Sequence, residues 1–191
     1  TQNAIANAVV VENNDVYVVG FEYSEDKRVA KLWKNGVATG LTDGTQHARA
    51  NSVSVVNGDV HVAGMEYIDG RYVATIWKNG VATRLSDGTY NAGAYSLTIY
   101  NDDVYVSGNE GNGTNKVSKV WKNGVATNLT DGTYHTHTHA VTVDNNNVYV
   151  AGFEYSENES IAKIWKNGVA TNLSNGTQHA VARSVIVFND D

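Results

Sequence analysis

Trp33, Trp77, Trp121 and Trp165 stand 44 residues apart, and each opens the same heptapeptide, Trp-Lys-Asn-Gly-Val-Ala-Thr. Self-similarity at one fixed period marks a repeat architecture, in which each unit is a module that buries its apolar surface against its neighbours. The units run 1–44, 45–88, 89–132 and 133–176 with no insertion or deletion, and 177–191 repeats the phase of the first fifteen residues. Any acceptable fold must therefore stack four equivalent modules and find a place for the start of a fifth.

Within 45–88 the pattern is that of strands. Ala50–Val56 reads as a first strand, ended by the turn Asn57-Gly58-Asp59. Val60–Tyr67 is a second, with apolar alternation through Val60 and Val62, and Arg71–Lys78 is a third. Asn79-Gly80 makes a two-residue hairpin to a fourth strand, Val81–Leu85, because both central residues of a type I′ turn need positive φ. No segment keeps a helical period over a useful length. The links inside a unit are short, so its strands form an antiparallel meander. The link between units, Ser86–Ala92, is longer and lets the chain cross from the outer edge of one sheet to the inner strand of the next.

The expected fold class is all-β, a β-propeller of four complete four-stranded blades plus one extra inner strand, forming a single domain or a propeller fragment over 1–191. A β-solenoid fits less well, since its coils are shorter and its strands parallel. The surplus segment Thr177–Asp191 would compete with Ala8–Val11 for one slot in a closed four-blade ring. A fragment of a longer propeller, a displaced terminal strand and strand exchange between chains each account for it. The last makes a homo-oligomer an expectation, because any unit can accept another's strand. The chain opens inside the repeat at Thr1 without an initiator Met, as a processed or cut piece would.

Composition narrows the function classes. A formal charge of −6, with Lys and Arg scattered singly, argues against nucleic acid as a partner. No run approaches the roughly 18 apolar residues of a membrane span. With no Cys there is neither a disulfide nor a thiolate metal site. Catalytic signatures are missing too: no Gly-x-Ser-x-Gly, no phosphate loop, no His-Glu-x-x-His. The expectation is a protein that is not an enzyme and needs no cofactor.

Differences between units indicate where function sits. The turns after the first and third strands hardly change. The loops Ser24–Arg28, Ile68–Tyr72, Asn112–Lys116 and Ser156–Ser160, and the crossings between units, vary greatly. In a meander both variable loops emerge at the same end, and loops on a rigid scaffold are where binding residues gather. There, Glu22, Glu66, Glu110 and Glu154 recur just after the second strand, followed by Tyr23, Tyr67 and Tyr155, with Gly111 breaking the series. Carboxylates accept from sugar hydroxyls and flat rings cover sugar C–H faces. The competing account is a Glu that pairs with a strand Lys.

His135, His137 and His139 form the most conspicuous tract. They alternate and so share one side of an extended chain, but positions i and i+4 lie about 13 Å apart, too far for one ion to hold all three. The tract reads as a polar loop stripe, and its three His are candidate ligand-binding residues on the varied face. The Trp residues read as blade packing and the Asn-rich turns as turn chemistry rather than calcium ligands.

Asp-Val-Tyr-Val-x-Gly followed by Trp-Lys-Asn-Gly-Val-Ala-Thr-x-Leu resembles repeats of uncharacterised, secreted bacterial propellers. That resemblance implies an extracellular or cell-surface location in a bacterium. Blade length and one Trp per unit are also distantly similar to tachylectin-2-like lectin propellers. The sequence differs from WD40 repeats in lacking Gly-His and Trp-Asp, and from kelch repeats in lacking Gly-Gly. The functional expectation is a binding propeller that presents repeated sites to a glycan or other surface ligand. The alternative is a protein-interaction scaffold that uses the varied loop face.

Overall fold

The computed structural model describes residues 3–156 and 159–188. Its sixteen strands, among the described residues, form four antiparallel sheets of four. Blade one comprises β1 (Ala4–Glu12), β2 (Asp15–Ser24), β3 (Lys27–Lys34) and β4 (Val37–Gly40). Blade two comprises β5 (Ala48–Val56), β6 (Asp59–Ile68), β7 (Arg71–Lys78) and β8 (Val81–Arg84). Blade three has β9 (Ala92–Tyr100), β10 (Asp103–Gly111), β11 (Lys116–Lys122) and β12 (Val125–Asn128). Blade four has β13 (Thr136–Asp144), β14 (Asn147–Ser156), β15 (Glu159–Lys166) and β16 (Val169–Asn172). Strand order follows chain order in every sheet, as a meander requires. No helix among the described residues is long and apolar enough to cross a membrane.

The chain divides into two compact units, Thr1–Ala94 and Tyr95–Asp191. In the first, Tyr17, Val19 and Ala30 of blade one meet Ala50, Val53, Val55, Val62 and Trp77 of blade two. In the second, Tyr105 and Val120 of blade three meet Val141, Val143, Val150 and Trp165 of blade four. Period-2 alternation thus gives each sheet an apolar face that packs against its partner blade within the unit. Trp77, Trp121 and Trp165 are fully buried, which gives them a packing role.

The constant turns work as braces. Asn79 and Gly80 take φ of 51° and 81°, the left-handed values expected of this hairpin. The Asn79 side chain then reaches the turn before β6: its Oδ1 accepts from Val60 N–H at 2.9 Å and its Nδ2 donates to Asp59 at 2.9 Å. Asn35, Asn123 and Asn167 repeat the same pair of bonds in their own blades. One residue type therefore sets the hairpin and ties it to its neighbour, which accounts for these turns without an ion.

A β-bulge interrupts the first strand at residue 7 between Ala6 and Ala8, at 51 between Ala50 and Ser52, and at 139 between Thr138 and Ala140. There the second strand presses against the first so closely that only glycine fits. A Cβ on Gly64 would lie 2.1 Å from the Arg49 carbonyl oxygen, and one on Gly152 would lie 2.1 Å from that of His137.

Residues 177–188 run on from blade four as the surplus copy and form no strand of their own, so the extra inner strand expected here is not formed among the described residues. Ala180 N–H donates to Ser160 O at 2.8 Å, and Ala182 N–H to Gly152 O at 3.3 Å. Residues 189–191 of the expected inner strand lie outside the described residues.

Candidate functional site

The variable loops and the crossings meet, as their position in the meander implies. The third residue of each unit after the first, His47, Asn91, His135 or His179, ties back to the start of the third strand of the preceding blade. His47 accepts at its carbonyl from Tyr67 N–H of its own blade at 2.7 Å, and at Nδ1 from Arg28 N–H of the preceding blade at 3.2 Å. Asn91 Oδ1 accepts in the same way from Tyr72 N–H at 2.8 Å. His135 Nδ1 accepts from Lys116 N–H at 3.0 Å, and His179 Nδ1 from Ser160 N–H at 3.1 Å. In the fourth variable loop, residues 157 and 158 lie outside the described residues.

The four recurring glutamates do not share one environment. Glu22 lies 3.2 Å from the Lys31 ammonium, Glu110 is 2.7 Å from Lys119, and Glu154 is 2.6 Å from Lys163. These pairs are largely covered, and each takes its carboxylate out of use as a ligand group. That is the structural account weighed against sugar binding, and it holds for three of the four.

Glu66 is the exception. Nine residues on, where the others carry Lys, stands Thr75. The Thr75 hydroxyl lies 3.3 Å from Glu66 Oε2 and 3.2 Å from the Val73 carbonyl, so one proton serves two acceptors. Among the described residues no cation lies within ion-pair distance of Glu66. Burial pushes its carboxyl up from the usual carboxylate range, while the Thr75 bond and the more distant Arg84 pull it back.

Glu66 lines a cleft of about 490 Å³. Asp43, Gln46 and His47 contribute from the crossing, Tyr67 and Arg84 from blade two. The volume falls within the range of about 300–1,000 Å³ typical of small-ligand sites. Asp43 is occupied in its own turn, accepting from Thr45 N–H at 2.9 Å and from the Thr45 hydroxyl at 2.8 Å. Tyr67 packs edge-on to His47, with centroids 6.5 Å apart, and to Tyr72 at 5.1 Å.

Blade four repeats the ring pair without the free carboxylate. His135 and Tyr155 also stand 6.5 Å apart, beside a hollow of about 250 Å³ lined by Lys116, His137 and Phe153. Tyr23 belongs to blade one, where it packs edge-on to Phe21 at 5.5 Å.

The His tract is not a loop stripe. Thr136–His139 belong to β13, where Thr136 and Thr138 are buried and the three imidazoles divide. His135 makes the tie to Lys116. His137 lies in a ring stack, 4.5 Å from Tyr95, 4.7 Å from His139 and 5.8 Å from Phe153. Burial, with Arg183 nearby, pushes the His139 imidazole below its ordinary value. The bulge at His139 turns its ring onto the stack, which strict alternation along a flat strand does not anticipate. Among the described residues no three metal-ligating side chains are arranged to hold an ion.

Sequence reasoning grouped the four Glu as equivalents and missed Thr75 and Arg84. The signal was present: Glu is followed nine residues later by Lys in units one, three and four, and by Thr in unit two.

Four antiparallel four-stranded meanders in series define the class of fold, a β-propeller. No protein-family model matches the chain. No curated protein matches it either. Among solved structures it is similar to a TolB-like structure from Agrobacterium tumefaciens, with a TM-score of 0.59 and 14% identity over 89% of this chain. It is also similar to the β-propeller domain of the Trilobed protease from Pyrococcus furiosus, with a TM-score of 0.54 and 12% identity over 90% of this chain. The chain spans 65% and 55% of those structures, less than two thirds of either. The catalytic domain of a GH62 α-L-arabinofuranosidase from Coprinopsis cinerea gives a TM-score of 0.50 at 10% identity. At such identities the likeness is one of fold alone.

Proposed function

We propose that this chain is a non-enzymatic binding propeller that holds a small hydroxyl-rich ligand, the end of a glycan, in the cleft around Glu66. The observation that carries the reading is the missing lysine: of four equivalent carboxylates, only the one facing the large cleft lacks a cation. A partly buried carboxylate with half a donor is costly to leave unsatisfied, and ligand hydroxyls supply what Thr75 does not. Tyr67 and His47 add ring surface at the rim. The likeness in blade length to lectin propellers supports the same reading.

This narrows four repeated sites to one. A glycan-array screen of the chain, followed by titration of any hit, tests it. Glu66→Gln is expected to weaken binding about tenfold, as loss of a charge-assisted hydrogen bond does, while Glu22→Gln, Glu110→Gln and Glu154→Gln leave it unchanged. Equal losses in all four variants would return the reading to a repeated site. Hydrolysis of a bound glycan that Glu66→Gln abolishes would make the protein an enzyme.

A further inference from the structure

Internal repeats let one blade report what another has lost. In blades one, three and four the recurring carboxylate is satisfied by a primary ammonium 2.6–3.2 Å away. That ammonium arrives on a lysine stem that fills the space beside the carboxylate. In blade two the stem is cut back to Thr75, which is fully buried and shares one proton between Glu66 and the Val73 carbonyl. Glu66, but not Thr75, lines the cleft of about 490 Å³. The backbone around the carboxylate is the same in all four blades: Glu22 pairs with Val29, Glu66 with Val73, Glu110 with Val117 and Glu154 with Ile161. What differs is the cation: lysine is absent at 75, and the cross-strand partner there is Arg84 where the other blades have Gly40, Asn128 and Asn172.

We propose that the Glu66 cleft recognises a primary ammonium group, which the ligand brings to the carboxylate that lysine satisfies in the sister blades. The shared chemistry is a protonated amine on a small polar body. An amino sugar with a free amine carries it, and so does an exposed lysine side chain of a peptide. The proposal rests on the reading that this cleft is the ligand site. It adds that charge, not hydroxyl number, selects the ligand. Arg84, the cross-strand partner of Thr75, lies in the same cleft wall beyond ion-pair distance of Glu66, so the cleft carries both charges.

The test is a titration of the full chain, isotope-labelled, followed by amide shifts at Thr75 and Tyr67. The probes are glucosamine, N-acetylglucosamine, glucose and Nα-acetyl-lysine amide. The expected result is saturable shifts with the two amines and at least about tenfold weaker binding of the two neutral sugars, from loss of one charge-assisted contact. Thr75→Lys, which installs the residue the other blades carry, is expected to abolish amine binding. Thr75→Val, which removes the hydroxyl without adding a cation, is expected to keep it. Should Thr75→Lys fail to fold, Glu66→Gln is expected to remove the preference for the two amines over the two neutral sugars. Tighter binding of glucosamine than of the lysine derivative assigns a carbohydrate source, and the reverse a peptide source. Neutral sugars that bind as well as amines, with Thr75→Lys unaffected, would overturn the ammonium and leave the glycan cleft standing. No response to any probe would overturn both.

Discussion

His61 occupies the place that Tyr17, Tyr105 and Tyr149 hold in the other blades. In those blades a lysine ammonium sits over the tyrosine ring, at 5.0 Å for Lys34, 5.2 Å for Lys122 and 5.3 Å for Lys166. Lys78 meets an imidazole instead, which it repels once the ring is protonated. Burial first, and then Lys78, push the His61 imidazole below its ordinary value, against a smaller pull from Asp59. A depressed pKa in the folded state means that the unfolded chain binds the proton more readily. The contribution of His61 is therefore fully present above its unfolded value near 6.5 and is lost as pH falls below it. His61→Tyr is expected to stabilise the chain by about 1 kcal/mol at neutral pH through a restored cation–π contact, and by more at pH 5.5. Thermal unfolding at the two pH values checks this; a variant whose loss on acidification matches the parent's would assign the pH dependence elsewhere. At this scale the sequence showed the odd residue in each series but not its meaning. Thr75 counts only once β6 and β7 are in register, because the Glu and the Lys it replaces are diagonal neighbours across two strands.

Strands and turns were legible almost to the residue. Asn-Gly and the period-2 alternation are local codes that need no knowledge of the rest of the chain. Burial was less legible, because it belongs to the neighbour and not to the strand. Val9 and Val11 of β1 are 64% and 62% exposed, whereas their copies Val53 and Val55 of β5 are 8% and 7% exposed. The positions are equivalent; in their unit the valine face of β5 lies against blade one, whereas β1 turns Ala8 and Val10 to blade two and leaves Val9 and Val11 on its other face. Val53→Ala is accordingly expected to cost about 1–3 kcal/mol, and Val9→Ala under about 0.5 kcal/mol, by chemical denaturation. Equal costs would mean that β1 is covered in solution.

Taken over the whole molecule, the repeat of the sequence and the module of the fold are out of step. A blade is closed at its variable end by the first residues of the next unit, through His47, Asn91, His135 and His179. Residues 177–182 belong by sequence to a fifth unit and by contact to blade four. His179→Asn is expected to be tolerated, since Asn91 makes the same bond, while His179→Val is expected to speed hydrogen exchange at Ser160 N–H about fivefold to tenfold. Unchanged exchange in His179→Val would show that the tie is dispensable.

That offset works like roof tiles, each laid over the edge of the one before it. A course can be lengthened or shortened at any joint by one whole tile, and every covered edge stays covered. For this chain the tile is 44 residues long. Each such length brings with it the residue, His47, Asn91, His135 or His179, that covers the blade before it, so a blade and its cover are inherited from different tiles.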